Sequence, residues 1–408
     1  MTQHFELMVE NAPAPAGQVT VVAPWDGSEI ATVDTGDERH VEAALTAAQA
    51  CYDDRDAWLP VHERVALLNR IADLMSAEQD ELAVAAAREG GKPLPDSRVE
   101  VARAIDGIHL CVEAIRSEQG QLIPMGGTAA GAERAAFTRR EPIGPVVAVS
   151  AFNHPLNLIV HQAAAAIAAG CPVIVKPAED TPLSCMRFVE IAREAGLAPA
   201  WCQALMTENH DAAEALVTDP RVAFFSFIGS ARVGWMLRSK LAPGARCALE
   251  HGGVAPLFLA GDADLDLAVP AIAKGGFYHA GQVCVSVQRV FAHRSVGRDF
   301  AERLADAARA QRIGDPTLAE TEVGPLIRHA EVERVHEWVS EAVADGAEML
   351  AGGDPLSDST YPCTVLWDPP ADAKVSTQEV FGPVICVYPY DELDAAIDRA
   401  NALPIAFQ

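Results

Sequence analysis

From Pro145 onward, short β-rich runs alternate with helical patterns, and this alternation restricts the fold more than any other feature of the chain. The runs are VVAVS (146–150), PVIVK (172–176), CQALM (202–206), VAFFSF (222–227) and CALE (247–250), with helices expected near 157–169, 182–195, 210–217 and 230–240. Strands separated by helices require right-handed βαβ crossovers, so the run predicts a mainly parallel sheet. Ligands of such sheets bind just beyond the carboxyl ends of the strands. A second αβ region follows, with PLFLA (256–260), a helix from Leu265, VFAH (290–293), a helix over Arg298–Arg312, another around 330–345 and VICVYPY (384–390). It reads as a separate lobe joined near Glu250.

Before Pro145 the pattern is helical. HVEAALTAAQACY, then VHERVALLNRIADLMSAEQDELAVAAAREG, then SRVEVARAIDGIHLCVEAI repeat apolar residues at three- and four-residue steps. Leu59-Pro60 and Gly90-Gly91-Lys92-Pro93 punctuate them as chain-reversing segments do. A Gly/Ala-rich stretch, Gly126 to Gly144, separates this block from the alternating region and is expected to be a hairpin or connecting arm. The 408 residues leave room for two or three domains at ~150 residues each. The formal charge of −26 repels phosphate backbones and anionic membranes, which disfavours nucleic-acid and membrane partners. Nine cysteines contain no CxxC pair and no disulfide framework, and Met1 to Glu10 lacks a basic region followed by an apolar core, so a reducing cytoplasm is expected.

Several residues carry chemistry at these strand ends. Cys284 lies in HAGQVCVSVQRV, where a Gly-Gln turn can expose a thiol beside a backbone N–H; a free cysteine is more often simply buried. Glu250 ends the run CALE and precedes His251-Gly252-Gly253; such a carboxylate is either solvated or, if buried, raised in pKa and a useful proton acceptor. Asn153 in SAFNHPLNL can donate to a developing oxyanion or cap the helix that follows. His154 beside it reads as a pocket wall. Lys176 and Glu179 close the run PVIVK with charges suited to a ribose and phosphate, or to a surface ion pair. Phe227 to Gly234 (FIGSARVG) joins a strand to a helix whose N-terminal amides suit a pyrophosphate, although its spacing is not GxGxxG. No zinc-type spacing occurs among the twelve histidines, and no metal is expected.

Taken together, PIGPVV (142–147), FNHPLN (152–157), VKPAE (175–179), FIGSARVG (227–234), LEHGG (249–253), GQVC (281–284) and EVFGPV (379–384) occur in the order of the NAD(P)-dependent aldehyde dehydrogenase superfamily, which the chain resembles over nearly its whole length, REGGKPL (88–94) included. The 34-residue step from Glu250 to Cys284 is also similar to that family's interval between base and nucleophile. The resemblance implies a Rossmann-like parallel-sheet cofactor domain (1–120 and 143–249, with the N-terminal helices), a connecting and oligomerisation hairpin (121–142) and a second α/β catalytic domain (250–408). It implies Cys284 as nucleophile, Glu250 as base and Asn153 as oxyanion donor. Phe152, Lys176, Glu179, Gly229, Ser230, Glu379 and Phe381 would contact the cofactor, and His154 and Val283 the substrate.

The chemistry follows a thiolate attack on an aldehyde, departure of its C–H as hydride to the nicotinamide, and hydrolysis of the resulting thioester by water that Glu250 activates. Relatives that form acyl-CoA generally lack that base, so a free acid is the expected product. Glu179 accepts ribose hydroxyls and repels a 2′-phosphate, which favours NAD over NADP. Phe152 and His154 replace the Trp and Phe usual around the Asn, and His251 the usual Leu. His154 suggests a polar or hydroxylated aldehyde, as in lactaldehyde-like or phosphonoacetaldehyde-like branches, while apolar Val283 disfavours a phosphonate. The chain stops in NALPIAFQ where family members continue, so a truncated product with an exposed sheet edge is expected, and a homo-oligomer for an intact chain. Two other classes remain at this stage: a cofactor-independent cysteine esterase or acyltransferase using Cys284 and Glu250, and an inactive truncated binding or structural protein.

Overall fold

The computed structural model describes residues 3–118 and 120–404; the last four residues of NALPIAFQ lie outside them. Five parallel strands form a sheet in the order Arg246–Glu250, Phe224–Ile228, Val146–Val149, Val173–Lys176, Cys202–Ala204. Strand ends differ from the sequence expectation by no more than two residues, and the helix expected at 157–169 spans Asn157–Ala169.

Strands Val146–Val149, Val173–Lys176 and Cys202–Ala204 are buried on both faces, which explains why they read as continuous apolar runs rather than alternating ones. Side chains in one strand point to opposite faces in turn. Val146 and Ala148, with Val173 and Val175, enter the core shared with the N-terminal helices, while Val147 and Ile174 enter a second core containing Leu45, Leu216 and Phe225. Chain order reverses between Val146–Val149 and Phe224–Ile228, because the next two strands after Val149 lie to one side and the last two to the other. That switch point opens a crevice at the carboxyl ends of the two strands.

A second five-stranded sheet has the order Pro256–Leu259, Arg289–His293, Val384–Tyr390, Thr364–Trp367, Glu348–Ala351. Its pairs are parallel except the last, which is antiparallel. A core of its own lies against it, including Phe291, Phe300, Ile385 and Tyr388. Residues Leu122–Ile123 and Ala136–Phe137 form a short antiparallel pair, as a hairpin requires.

Three features depart from the sequence expectation. The long helical pattern from Val61 splits into Val61–Ala77 and Gln79–Gly90. The break at Glu78 lets both pieces pack on helix Leu94–Ser117, and the Glu78 carboxylate pairs with Arg187 there. A three-stranded sheet forms from Gln3–Phe5, Gly17–Val22 and Glu29–Thr35, a region with no expected element. Glu348–Ala351 and Thr364–Trp367 were likewise unassigned, and the former owes its extended state to pairing with the latter.

Candidate active site

The crevice is a cavity of about 1340 Å³. It is lined by Phe152, Asn153, His154, Lys176, Glu179, Gly229, Ser230, Glu250, Cys284, Glu379 and Phe381, so eleven of the twelve residues singled out above meet there. Val283 does not: it is buried in the turn before Cys284 and outside the cavity wall.

Cys284 is half-buried. Burial first, then the nearby Glu379 and Glu250 carboxylates, push its thiol above the ordinary value. Its segment is shaped by Gly281, whose φ of +71° lies in the left-handed region and whose missing side chain lets the Gly382 carbonyl approach; a Cβ there would sit 2.0 Å from that oxygen. Residues His279 and Ala280 before it also adopt positive φ, 50° and 54°. Gln282 anchors the loop by accepting from the Ile327 N–H and donating to the Pro325 carbonyl.

Asn153 is 4% exposed, and its Nδ2 donates to the Gln282 carbonyl at 3.0 Å. One amide therefore ties the first lobe to the loop that carries Cys284. It does not cap the following helix. That work falls to Glu100, whose Oε1 accepts from the backbone N–H groups of Leu156 and Asn157 at 3.0 Å each. Glu250 is exposed to the cavity rather than buried, with its strand held by the Gly229 N–H on its carbonyl.

His154 is mostly buried and stacks on Tyr278 at 6.2 Å. Burial, and then the positive charge of Lys92, hold its imidazole well below the ordinary value. Lys92 Nζ sits 2.5 Å from His154 Nδ1 and also bonds to Glu100. Sequence reasoning missed Lys92 and Glu100 as site residues: Lys92 lies in the turn after Gly90 and Glu100 eight positions on in helix Leu94–Ser117, and neither carries a mark of His154, 62 residues beyond Lys92. The only available signal was Lys92 within REGGKPL.

On the other side, Lys176 is 8% exposed with its Nζ 3.6 Å from Glu179, and burial lowers its pKa. Ser230 caps the helix Ala231–Arg238. Glu379 is raised to about 7 by burial, and its Oε1 has no partner. Gly252 leaves space for that carboxyl, since a Cβ there would lie 1.7 Å from Glu379 Oε1. Phe381, with φ of +47°, packs edge-on against Phe152 at 5.7 Å. Among the described residues, Ser150 Oγ, Gln162 Oε1, Arg334 Nη1 and Glu379 Oε1 belong to residues lining this cavity and have no hydrogen-bond partners. Buried polar atoms are ordinarily paired. Four orphans in one crevice, with a helix N-terminus and Lys176 beside it, fit a polar cofactor of nucleotide size.

Residues 12–408 match the Aldehyde dehydrogenase family. The chain is 38% identical over 340 residues to a 3-sulfolactaldehyde dehydrogenase of Priestia aryabhattai, covering 83% of this chain and 71% of that one. Its structure resembles lactaldehyde dehydrogenase from Escherichia coli, with a TM-score of 0.92 and 29% identity over 98% of this chain and 85% of the other. It also resembles a glyceraldehyde-3-phosphate dehydrogenase from Methanocaldococcus jannaschii complexed with NADP, with a TM-score of 0.89 and 32% identity, covering 94% and 83%. With the motif order, the two-sheet architecture and the shared cavity all in place, the chain belongs to the aldehyde dehydrogenase family, the NAD(P)-dependent oxidoreductases that act on aldehydes.

Proposed function

We propose that the chain oxidises a polar, hydroxylated aldehyde to the free carboxylic acid, with NAD favoured over NADP. The observation that carries this reading is the common cavity of Cys284, Glu250 and Asn153, which come from three separate segments. The sulfur of Cys284 adds to the carbonyl carbon, and the carbonyl oxygen becomes an oxyanion facing the Asn153 amide and the Cys284 backbone N–H. Because burial and two carboxylates raise the thiol, attack requires a proton acceptor, and Glu250 is open to the cavity. NAD(P), when bound, supplies the hydride acceptor. The acyl group left on Cys284 is released by water that Glu250 deprotonates, giving the acid.

Lys176, Glu179, Gly229 and Ser230 would hold the adenosine ribose and pyrophosphate, and Glu379 with Phe152 and Phe381 the nicotinamide end. The exposed Glu179 carboxylate supports NAD, because it accepts two ribose hydroxyls and repels a 2′-phosphate. His154 supports a substrate with an oxygen beside the carbonyl. We assign 1–120 and 143–249 to the cofactor domain, 121–142 to the arm and 250–408 to the catalytic domain. Leu122 and Phe137, both 78% exposed on the hairpin, support a homo-oligomer. Nine unpaired cysteines support a cytoplasmic location. No helix among the described residues is long and apolar enough to cross a membrane.

The test is absorbance of reduced nicotinamide with a panel of hydroxylated and unsubstituted aldehydes, each with NAD and NADP. Turnover is expected with hydroxylated aldehydes and NAD, and Cys284→Ala should abolish it, a loss on the order of a thousandfold or more. Turnover surviving in that variant would reject the nucleophile assignment.

A further inference from the structure

Behind the cavity wall, a charged group sits where an apolar core is expected. Lys92 is 0% exposed and is one of the largest fully buried side chains. Its ammonium lies between Glu100 Oε2 and His154 Nδ1, which are themselves 3.8 Å apart. An unpaired buried charge is expensive, and this one is paired. Glu100 spends its other oxygen on the N–H groups of Leu156 and Asn157. Burial alone would lower Lys92, and the adjacent carboxylate opposes it.

An ammonium offers three donors and no acceptor. The ring nitrogen facing it must therefore accept, and the proton of a neutral imidazole then resides on Nε2. A second proton on the ring is opposed first by burial, then by Lys92, with His279, Arg103 and His161 also facing it. Tyr278 stacks on the ring, and Glu100 is the carboxylate in reach. Nε2 of His154 has no hydrogen-bond partner among the described residues, although the side chain lines the cavity and is 16% exposed.

We propose that Lys92 is a positioning residue for aldehyde oxidation: with Glu100 it fixes His154 as the neutral Nε2–H tautomer, so that the cavity wall presents a hydrogen-bond donor to an oxygen carried next to the aldehyde carbon. The same Glu100 holds the start of helix Asn157–Ala169, so one buried pair sets both the His154 tautomer and the segment bearing Asn153. The proposal rests on the reading of His154 as substrate-facing, and it extends that reading to a pair that touches no substrate. Lys92 selects by deciding which atom of another residue carries a proton.

The tautomer is read directly by nitrogen NMR of the whole chain labelled at histidine ring nitrogens, with His154 assigned by the signals lost in His154→Phe. The expected spectrum has a proton-free Nδ1 and a protonated Nε2 at neutral pH; a proton on Nδ1 overturns the proposal whatever the enzyme's activity. The kinetic arm compares kcat/KM for glycolaldehyde and acetaldehyde, which differ by one hydroxyl. Lys92→Met with Glu100→Gln removes the charges while Gln keeps an oxygen for the helix start, and circular dichroism checks the fold. The preference for glycolaldehyde should fall about three- to tenfold, the worth of one neutral hydrogen bond. His154→Phe should produce the same fall, and combining all three changes should produce no more. Equal losses on both aldehydes, or additive losses, reduce Lys92 to a structural role and overturn the proposal. A preference that survives in His154→Phe overturns the substrate-facing reading instead, while the NMR result still stands on its own.

Discussion

On one side of Cys284, most polar groups of the segment Phe152–Asn157 are bonded within the protein, Asn157 Oδ1 excepted: Asn153 to the Gln282 carbonyl, His154 to Lys92, and the Leu156 and Asn157 backbone N–H groups to Glu100. On the other side, Glu379 buries an oxygen with no partner beside Gly252, and Phe381 holds a positive φ. The first wall is held largely by bonds within the protein. The second stores unmet polarity and local strain, which a bound partner can relieve. A wall for orienting a reacting carbonyl benefits from the first design, because its donors need no rearrangement as charge develops. A wall that must admit and release a cofactor benefits from the second.

The comparison breaks most visibly at Asn153. Asn153→Ala should lower turnover by about a hundred- to a thousandfold with little change in cofactor affinity, measured by steady-state rates and calorimetric titration of NAD. A loss confined to cofactor affinity would mean that the bonded wall serves the wrong ligand.

Glu379 sharpens the contrast through pH. Its folded value of about 7 lies above the ordinary 4.5, so the folded state binds the extra proton and stability falls as pH rises from about 4.5 through 7. Glu379→Gln should therefore leave the melting temperature nearly unchanged at pH 5 and raise it at pH 8, by the equivalent of about 1–3 kcal/mol once partial exposure is allowed for. Parallel melting curves for the two proteins across that range would show that the carboxyl carries no such strain.

The smallest effect is expected at the rim. Arg328 reaches across the cleft to Asp180, but its side chain is 53% exposed. Arg328→Ala should change stability by less than about 1 kcal/mol, and less still at high salt, as measured by denaturant titration. A larger loss would locate part of the hold at the surface rather than in the buried pair.

What could be read beforehand divides along the same physical line. The centre of the parallel sheet was legible because its strands there are buried on both faces and bounded by helices, so VVAVS and PVIVK fell within a residue of their observed ends. Glu348–Ala351 was not, because Glu, Met, Leu and Ala favour helix and only pairing with Thr364–Trp367 makes them extended. The shared cavity of Glu250 and Asn153 was legible through their positions after strands, and that of Cys284 only through the order of the motifs along the chain. Lys92 and Glu100 were not, since a buried ion pair leaves no periodic trace. Val283 shows the opposite error: adjacency to Cys284 suggested a shared wall, yet neighbouring side chains in that turn part, and Val283 enters the core.

The bond from Asn153 to the Gln282 carbonyl joins the segment after strand Val146–Val149 to the loop that carries Cys284. Any motion that separates the two there must break it first, so the amide works as a clasp whose fastening coincides with its own alignment. On the proposed mechanism, a cleft that opens there to release acid would by the same movement withdraw the Asn153 amide.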